Sequence, residues 1–247
     1  KPASAVEPAT AKTDGWLAYR KEKPAAEIQL FCFHHMGGAA SLFRGWGDEL
    51  PGEIDVCPVQ LPGREGRRHE APLADFGRLI DRIADGILPY LEKPFALFGH
   101  SMGSWVAMEL AHLLKRKHGF VPIHLFVAAM RPPEAGIVVD DSLISHMEIP
   151  EPLKGDAGFM KEWMNLFRAD AELFKSYQYQ EHAAIECPIT AIGGADDDLV
   201  SRFDLSGWYN WTTDAFKLQM LPGPHMFPAE SRDRLLAEIR SQLGGGP

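Results

Sequence analysis

A serine flanked by two glycines stands at the junction of a predicted strand and a predicted helix. The apolar run Phe95–Phe98 precedes it, and residues 105–114 carry apolar side chains at helical spacing. The junction Gly99–Gly103 has the sequence Gly-His-Ser-Met-Gly, the pattern of a nucleophile elbow, whose strained turn projects the serine hydroxyl from the backbone. Ser101 is therefore the candidate nucleophile, and the amide of Met102 is a candidate donor to an oxyanion. The same turn would also suit a serine that only caps the helix.

A second loop is predicted to supply the other oxyanion donor. The predicted strand 28–33 leads into the segment His-His-Met-Gly-Gly at 34–38, and a strand followed by such a loop is typical of an oxyanion hole. We therefore expect the backbone amide of Met36 to be the second donor. His34 and His35 could instead bind a metal, but no further ligand at metal-binding spacing accompanies them, so no metal site is predicted.

The acid and the base of a catalytic triad are predicted late in the chain. The strand predicted at 188–192 ends in Gly-Gly-Ala-Asp-Asp-Asp, so Asp196, Asp197 or Asp198 could be the acid, and the pattern leaves this choice open. His225 follows the last predicted strand on a loop rich in proline and glycine, and it is the candidate base. The order Ser, Asp, His along the chain is that of the triad in α/β-hydrolases.

The order of the predicted elements indicates an α/β fold. Strands alternate with amphipathic helices, which favours a mostly parallel, doubly wound sheet. We predict one domain over residues 15–243. Residues 1–14 have no periodicity and residues 244–247 are Gly-Gly-Gly-Pro, so both are expected to be tails or linkers.

An insertion at about 134–186 interrupts this alternation. Short helical segments are predicted there at 142–147, 159–167 and 171–179, and in such a chain they would form a lid over the active site. The insertion is rich in aromatic and methionine side chains. Some of them would pack it onto the domain, and a few would be exposed to a long apolar ligand. The candidates for substrate contact are Met160, Trp163, Phe167 and Phe174.

Composition excludes several functions. The formal net charge of −9 argues against nucleic acid as the main partner. No apolar run approaches the ~18 residues of a membrane span, so no membrane association is expected. The three cysteines occur in apolar runs without paired spacing, which indicates free thiols in a reducing compartment and hence a cytoplasmic location.

Basic residues follow the predicted strand at 54–61. Arg64, Arg67 and Arg68 could bind a phosphate or a carboxylate, although pairing with nearby acids such as Glu65 explains them equally well. The basic run Lys115–Lys117 ends the predicted elbow helix, where basic residues are common.

Together these motifs resemble the type II thioesterases of polyketide, nonribosomal peptide and fatty-acid synthases. The resemblance extends from about Trp16 to Leu243 and includes the lid motif Phe167–Asp170. It implies an α/β-hydrolase fold with a helical lid, and hydrolysis of acyl groups from the phosphopantetheine arm of a carrier protein. The remaining matching segments are Leu30–Gly38, Leu61–Glu65, Phe98–Gly103, Gly193–Ser201 and Leu221–Phe227.

By position, the resemblance implies that Ser101 is the nucleophile, Asp197 the acid, His225 the base and Met36 an oxyanion donor. The implied partner is an acyl or peptidyl carrier protein, and the enzyme is expected to be a monomer with no cofactor of its own. Carriers of these pathways are usually acidic, so a local basic patch is expected to bind them. Its candidate residues are Arg64, Arg67, Arg68 and Lys115–Lys117.

Three other functions are compatible with the same residues. A general carboxylesterase or lipase would use the same triad on small esters, and an acyl transferase would replace water with an alcohol or amine. A binding module that has lost turnover would only hold a carrier or an acyl chain, but the intact triad speaks against it.

Overall fold

The segments predicted to hold Met36, Ser101, Asp197 and His225 each follow a strand of one parallel sheet. The computed structural model describes residues 15–136, 139, 141–147, 149 and 151–244. Its sheet has the strand order β2-β1-β3-β4-β5-β6, and every neighbouring pair is parallel. The strands are β1 (Ile28–Phe33), β2 (Ile54–Pro58), β3 (Phe95–His100), β4 (His124–Ala128), β5 (Ile189–Gly194) and β6 (Phe216–Leu221).

Helices cover both faces of the sheet. Because side chains alternate along a strand, Phe31 and Phe33 of β1 pack on one face while Leu30 and Cys32 pack on the other. Helices α2 (Phe76–Ile87) and α3 (Met102–His118) cover the first face, and α1 (Trp46–Glu49) and α8 (Arg232–Leu243) cover the second. The shorter helices are α4 (Glu151–Lys154), α6 (Arg202–Ser206) and α7 (Phe227–Glu230). The predicted doubly wound α/β-hydrolase architecture is confirmed.

The segment between β4 and β5 contains one long helix, α5 (Ala157–Lys175), where two segments at 159–167 and 171–179 were expected. Asp156 begins this helix by accepting the amides of Gly158 and Phe159. The prediction of a break was wrong because Arg168-Ala169-Asp170 interrupts the apolar periodicity but not the helix itself. Asp170 is buried within the helix and ion-paired to Arg64. Before α4, the helical segment predicted at 142–147 is a 3-10 helix, Asp141–His146.

No helix among the described residues is both long and apolar enough to cross a bilayer. The three cysteines, Cys32, Cys57 and Cys187, are buried free thiols. Of the predicted terminal tails, only Gly244 lies within the described residues.

Candidate active site

The turn between β3 and α3 holds Ser101 in a strained conformation. Ser101 has φ 53° and ψ −121°, a region that residues other than glycine rarely adopt. Its N–H donates to the carbonyl oxygen of Ala128 on β4 at 2.8 Å. Ser104 braces the same turn, because its hydroxyl donates to the carbonyl of Gly99 at 2.9 Å. The predicted nucleophile is therefore held by neighbouring strands.

The two glycines of the turn are required by close backbone contacts. A Cβ on Gly99 would collide with the backbone of Gly103, and a Cβ on Gly103 would collide with the carbonyl of Phe33. These contacts let the first turn of α3 pack directly against the end of β1. The elbow and the loop after β1 are thereby neighbours at the carboxyl end of the sheet.

The three predicted triad residues form one continuous chain of hydrogen bonds. His225 Nε2 lies 3.0 Å from Ser101 Oγ, and His225 Nδ1 lies 2.9 Å from Asp197 Oδ2. An ionised carboxylate only accepts hydrogen bonds, so Nδ1 carries the proton and Nε2 is free to accept the serine hydroxyl. Ser101, Asp197 and His225 come from three loops that follow β3, β5 and β6.

Asp197 is distinguished from its neighbours by burial and bonding. Its side chain is fully buried, and its second oxygen, Oδ1, accepts the amides of Leu199 and Val200 at 2.9 and 3.1 Å. Asp196 and Asp198 are exposed, and neither is hydrogen-bonded to His225. Of the three aspartates that the sequence pattern left open, Asp197 is therefore the one whose carboxylate contacts His225.

A second histidine supports the His225 loop. His100 Nε2 donates to the backbone carbonyl of His225 at 3.0 Å, and the two rings are 5.8 Å apart. Burial, together with the nearby charges of His35 and His225, holds the pKa of His100 well below its usual value. His100 is therefore a neutral donor beside the triad. Sequence reasoning did not assign it a role, although it lies inside the elbow motif.

The two predicted oxyanion donors follow two adjacent strands, β1 and β3, at equivalent positions. In the β1–β3 register Phe33 pairs with Gly99, and Met36 and Met102 each follow three residues later. Within the described part of the chain the Met36 N–H has no hydrogen-bond acceptor. Met102, the first residue of α3, has no acceptor inside its helix. Both amides are thus free to bind an incoming oxyanion.

The loop after β1, defined here as the oxyanion loop (His34–Gly38), contains two buried neutral histidines. His35 Nδ1 donates to the Met36 carbonyl at 2.8 Å, and its ring lies edge-on to His100 with centroids 5.4 Å apart. Burial lowers the pKa of His35 to about 4, and burial likewise holds the pKa of His34 well below its usual value. The loop is therefore uncharged next to the elbow. No cluster of three metal-ligating side chains occurs among the described residues.

A cavity of about 800 Å³ adjoins the triad. Its inner wall includes His35, His100 and Met226, the last two being the chain neighbours of Ser101 and His225. Most of the rest of its wall is apolar, with charged side chains such as Arg68 and Arg232 also lining it. The apolar side chains that line it include Leu42, Phe43, Trp46, Phe98, Phe159 and Trp163.

The four lid residues predicted to contact substrate have different surroundings. Trp163 lines the cavity. Phe167 is buried beside Trp163, and the centroids of the two rings are 5.4 Å apart. Phe174 is buried, and the centroid of its ring lies 4.6 Å from that of Trp105. It therefore packs the lid onto the domain and is not in the wall of this cavity. Met160 is half-buried and is also not in that wall.

Two of the three predicted docking arginines are buried, which corrects that prediction. Arg64 is 4% exposed and makes a bidentate ion pair with Asp170. Arg67 is 5% exposed, pairs with Glu70 and lies over the ring of Trp16. Neither guanidinium group is available to a protein partner. Arg68 is exposed and lines the cavity, so a docking role stays a prediction for this arginine but not for the other two.

Comparison with known proteins gives concordant results. The family model described as a thioesterase domain matches residues 28–243. The gramicidin S biosynthesis protein GrsT of Aneurinibacillus migulanus is 36% identical over 239 residues, which cover 92% of this chain and 93% of GrsT.

Two solved structures are similar over nearly the whole chain. The RedJ thioesterase from the prodiginine pathway of Streptomyces coelicolor has a TM-score of 0.83 and 33% identity, covering 90% of this chain and 88% of RedJ. The type II thioesterase BorB from the borrelidin biosynthetic cluster also has a TM-score of 0.83, with 30% identity over 94% of this chain and 99% of BorB.

Proposed function

Because the chain belongs to the thioesterase family and is similar to type II thioesterases throughout, we propose that it hydrolyses acyl groups from the phosphopantetheine arm of a carrier protein. GrsT is a gramicidin S biosynthesis protein, RedJ belongs to the prodiginine biosynthetic pathway and BorB to the borrelidin biosynthetic cluster. By analogy, the carrier would belong to a biosynthetic pathway for a peptide or polyketide. The single observation that carries the proposal is the hydrogen-bonded line from Ser101 through His225 to Asp197.

The proposed reaction begins with attack of Ser101 Oγ on the thioester carbonyl carbon. His225 Nε2 takes the hydroxyl proton, and the negative charge of Asp197 stabilises the imidazolium that forms. The carbonyl electron pair moves to oxygen, and the amides of Met36 and Met102 bind this oxyanion. Removing one donor of this kind typically costs about 10²- to 10³-fold in kcat.

Collapse of the tetrahedral intermediate breaks the carbon–sulfur bond. The phosphopantetheine leaves as a thiol with the proton from His225, and an acyl-enzyme ester on Ser101 remains. Water then attacks this ester with His225 as the base, and the free acid departs. Since a thiolate is a good leaving group, the proposed reaction requires little acid catalysis. No step of it uses a cofactor.

The acyl chain is proposed to occupy the cavity beside the triad. The cavity is largely apolar and adjoins His100 and Met226, as an acyl group bonded to Ser101 would require. Phe43 and Trp46, which also line this cavity, would limit the length of chain that fits. Arg68 is proposed to contact the acidic carrier, because it is the exposed member of the three arginines and borders the same cavity.

One comparison of two substrates tests the function. The acyl group is presented either on a phosphopantetheinyl carrier protein or as a free ester of the same acid, with Ser101→Ala as the control. We expect kcat/KM for the carrier form to be higher by ~10² or more, since binding of the carrier and its arm supplies the additional transition-state stabilisation.

Two results would contradict the proposal. Equal turnover of the free ester would indicate a general esterase, which the same triad would serve. Carrier binding without hydrolysis of either substrate would indicate a binding module instead.

A further inference from the structure

One carboxylate on α5 contacts the oxyanion loop directly. Asp170 is 1% exposed, and its Oδ2 accepts the N–H of Gly37 at 2.8 Å. Gly37 follows Met36, so the contact lies one peptide group away from the predicted oxyanion donor. The helix and the loop are 133 residues apart in the sequence, and this hydrogen bond joins them.

Arg64 completes the contact from the other side of the loop. Its Nη1 and Nη2 donate to the two oxygens of Asp170 at 2.8 and 2.7 Å. Nη1 also donates to the carbonyl oxygen of Gly38 at 3.1 Å. Asp170 and Arg64 thus bind the N–H of Gly37 and the C=O of Gly38, and fix two consecutive residues of the loop.

Packing of α5 adds a steric constraint at the same point. Gly37 has φ +73°, a left-handed conformation, and a Cβ there would lie 3.2 Å from the Phe167 ring and 3.4 Å from the Trp163 ring. The aromatic side chains of α5 therefore lie against the backbone of the loop. Inside the loop, the hydrogen bonds are local, such as that from the Gly38 N–H to the His35 carbonyl. Asp170 of α5 and Arg64 add to these the hydrogen bonds that reach Gly37 and Gly38 from outside the loop.

We propose that Asp170, acting with Arg64, is a positioning residue for the oxyanion hole. It holds the loop so that the Met36 N–H is directed at the reacting carbonyl oxygen, and so makes the oxyanion hole depend on the position of the lid helix. The inference rests on the proposed function. A buried ion pair contributes little net stability compared with apolar packing, which favours a geometric role for one placed at this loop.

The variants Asp170→Asn and Arg64→Lys test this role. Both keep a polar group at the site but lose the bidentate pair. We expect kcat to fall about 10- to 100-fold while KM changes less than about threefold, because the displaced amide acts only on the transition state.

An alkyl trifluoromethyl ketone provides a second measurement. Ser101 Oγ adds to its carbonyl carbon, the serine proton passes to His225, and the adduct carries an oxyanion. We expect its affinity to fall by the same factor as kcat in both variants. Affinity for a non-hydrolysable thioether analogue of the substrate, which has no oxyanion, is expected to stay unchanged.

Asp55→Asn is the matched control. Asp55 of β2 is also 1% exposed and ion-paired, to Arg20 at 2.6 Å, but it does not contact the oxyanion loop. We expect this variant to lower Tm without lowering kcat.

Several outcomes would overturn the inference. An unchanged kcat and ketone affinity in folded Asp170→Asn would do so, as would an equal loss of kcat in Asp55→Asn. If Asp170→Asn does not fold, Arg64→Lys decides in the same way. If the wild-type protein hydrolyses no thioester, the proposed function fails, whereas the ketone affinities still report on the loop.

Discussion

His225 Nδ1 lies 2.9 Å from Asp197 Oδ2, although Asp197 is the middle of three consecutive aspartates. The turn after β5 buries only this carboxylate, and its other oxygen accepts two backbone amides. Asp197 is therefore fixed in orientation before any substrate binds.

Asp197→Asn is expected to reduce kcat by about 10⁴-fold, because an amide at this position favours the wrong tautomer of His225. Asp196→Asn and Asp198→Asn are the matched controls and should retain kcat within about threefold. Steady-state hydrolysis of an acyl thioester measures all three. A large loss in either control, with Asp197→Asn active, would reassign the acid.

Arg68→Glu is expected to raise KM for an acyl-carrier substrate about tenfold and to leave KM for a small acyl thioester unchanged, since only the carrier presents an acidic surface. Arg78→Glu is the control, because it makes the same charge change at an exposed residue of α2 that does not line the cavity. The measurement is repeated at two salt concentrations, and the effect should shrink at the higher one. Equal effects on both substrates would exclude a docking role.

Phe159→Ala is expected to shift the preference of the enzyme toward longer acyl chains by about tenfold in kcat/KM, because the change enlarges the apolar cavity that Phe159 lines. Met160→Ala is its control, a half-buried neighbour on the same helix that is absent from the cavity wall. A series of acyl thioesters of increasing length measures the shift. Identical chain-length profiles for both variants would show that the acyl chain binds elsewhere.

His112 on α3 is expected to make the protein less stable in acid. Burial, and then the charge of His182 stacked on it at 4.3 Å, lowers the pKa of His112 from 6.5 to about 4. Between about pH 6.5 and pH 4 the unfolded chain binds a proton at this residue that the native state does not, so the free energy of unfolding falls as pH falls.

His112→Phe removes this contribution. When the pH falls from 7 to 4.5, the free energy of unfolding is expected to decrease by about 1–3 kcal/mol less in the variant than in the wild type. Urea unfolding at both pH values measures this difference. His118→Phe, which replaces an exposed histidine of the same helix, should follow the wild type. A parallel pH dependence in His112→Phe and wild type would contradict the assignment.

Sequence patterns alone were enough to predict the local parts of the candidate active site. A short apolar run followed by Gly-His-Ser-Met-Gly and a helical period was enough to predict β3, the elbow and Ser101. The loop after β1 and the proline- and glycine-rich turn around His225 were found in the same way. These features depend on interactions between residues close in the chain, and those leave a readable pattern of hydrophobicity and turn-forming residues.

Contacts between distant parts of the chain determine which charged side chains are paired and buried. The residue pattern left three aspartates open for the acid, and the family resemblance rather than spacing selected Asp197. Arg64 and Arg67 were expected at a docking surface and are buried instead. Asp170 interrupted the apolar period of α5 and so suggested a break in the helix. Its partners, Gly37 and Arg64, lie more than 100 residues away, and no local pattern encodes a contact of that range.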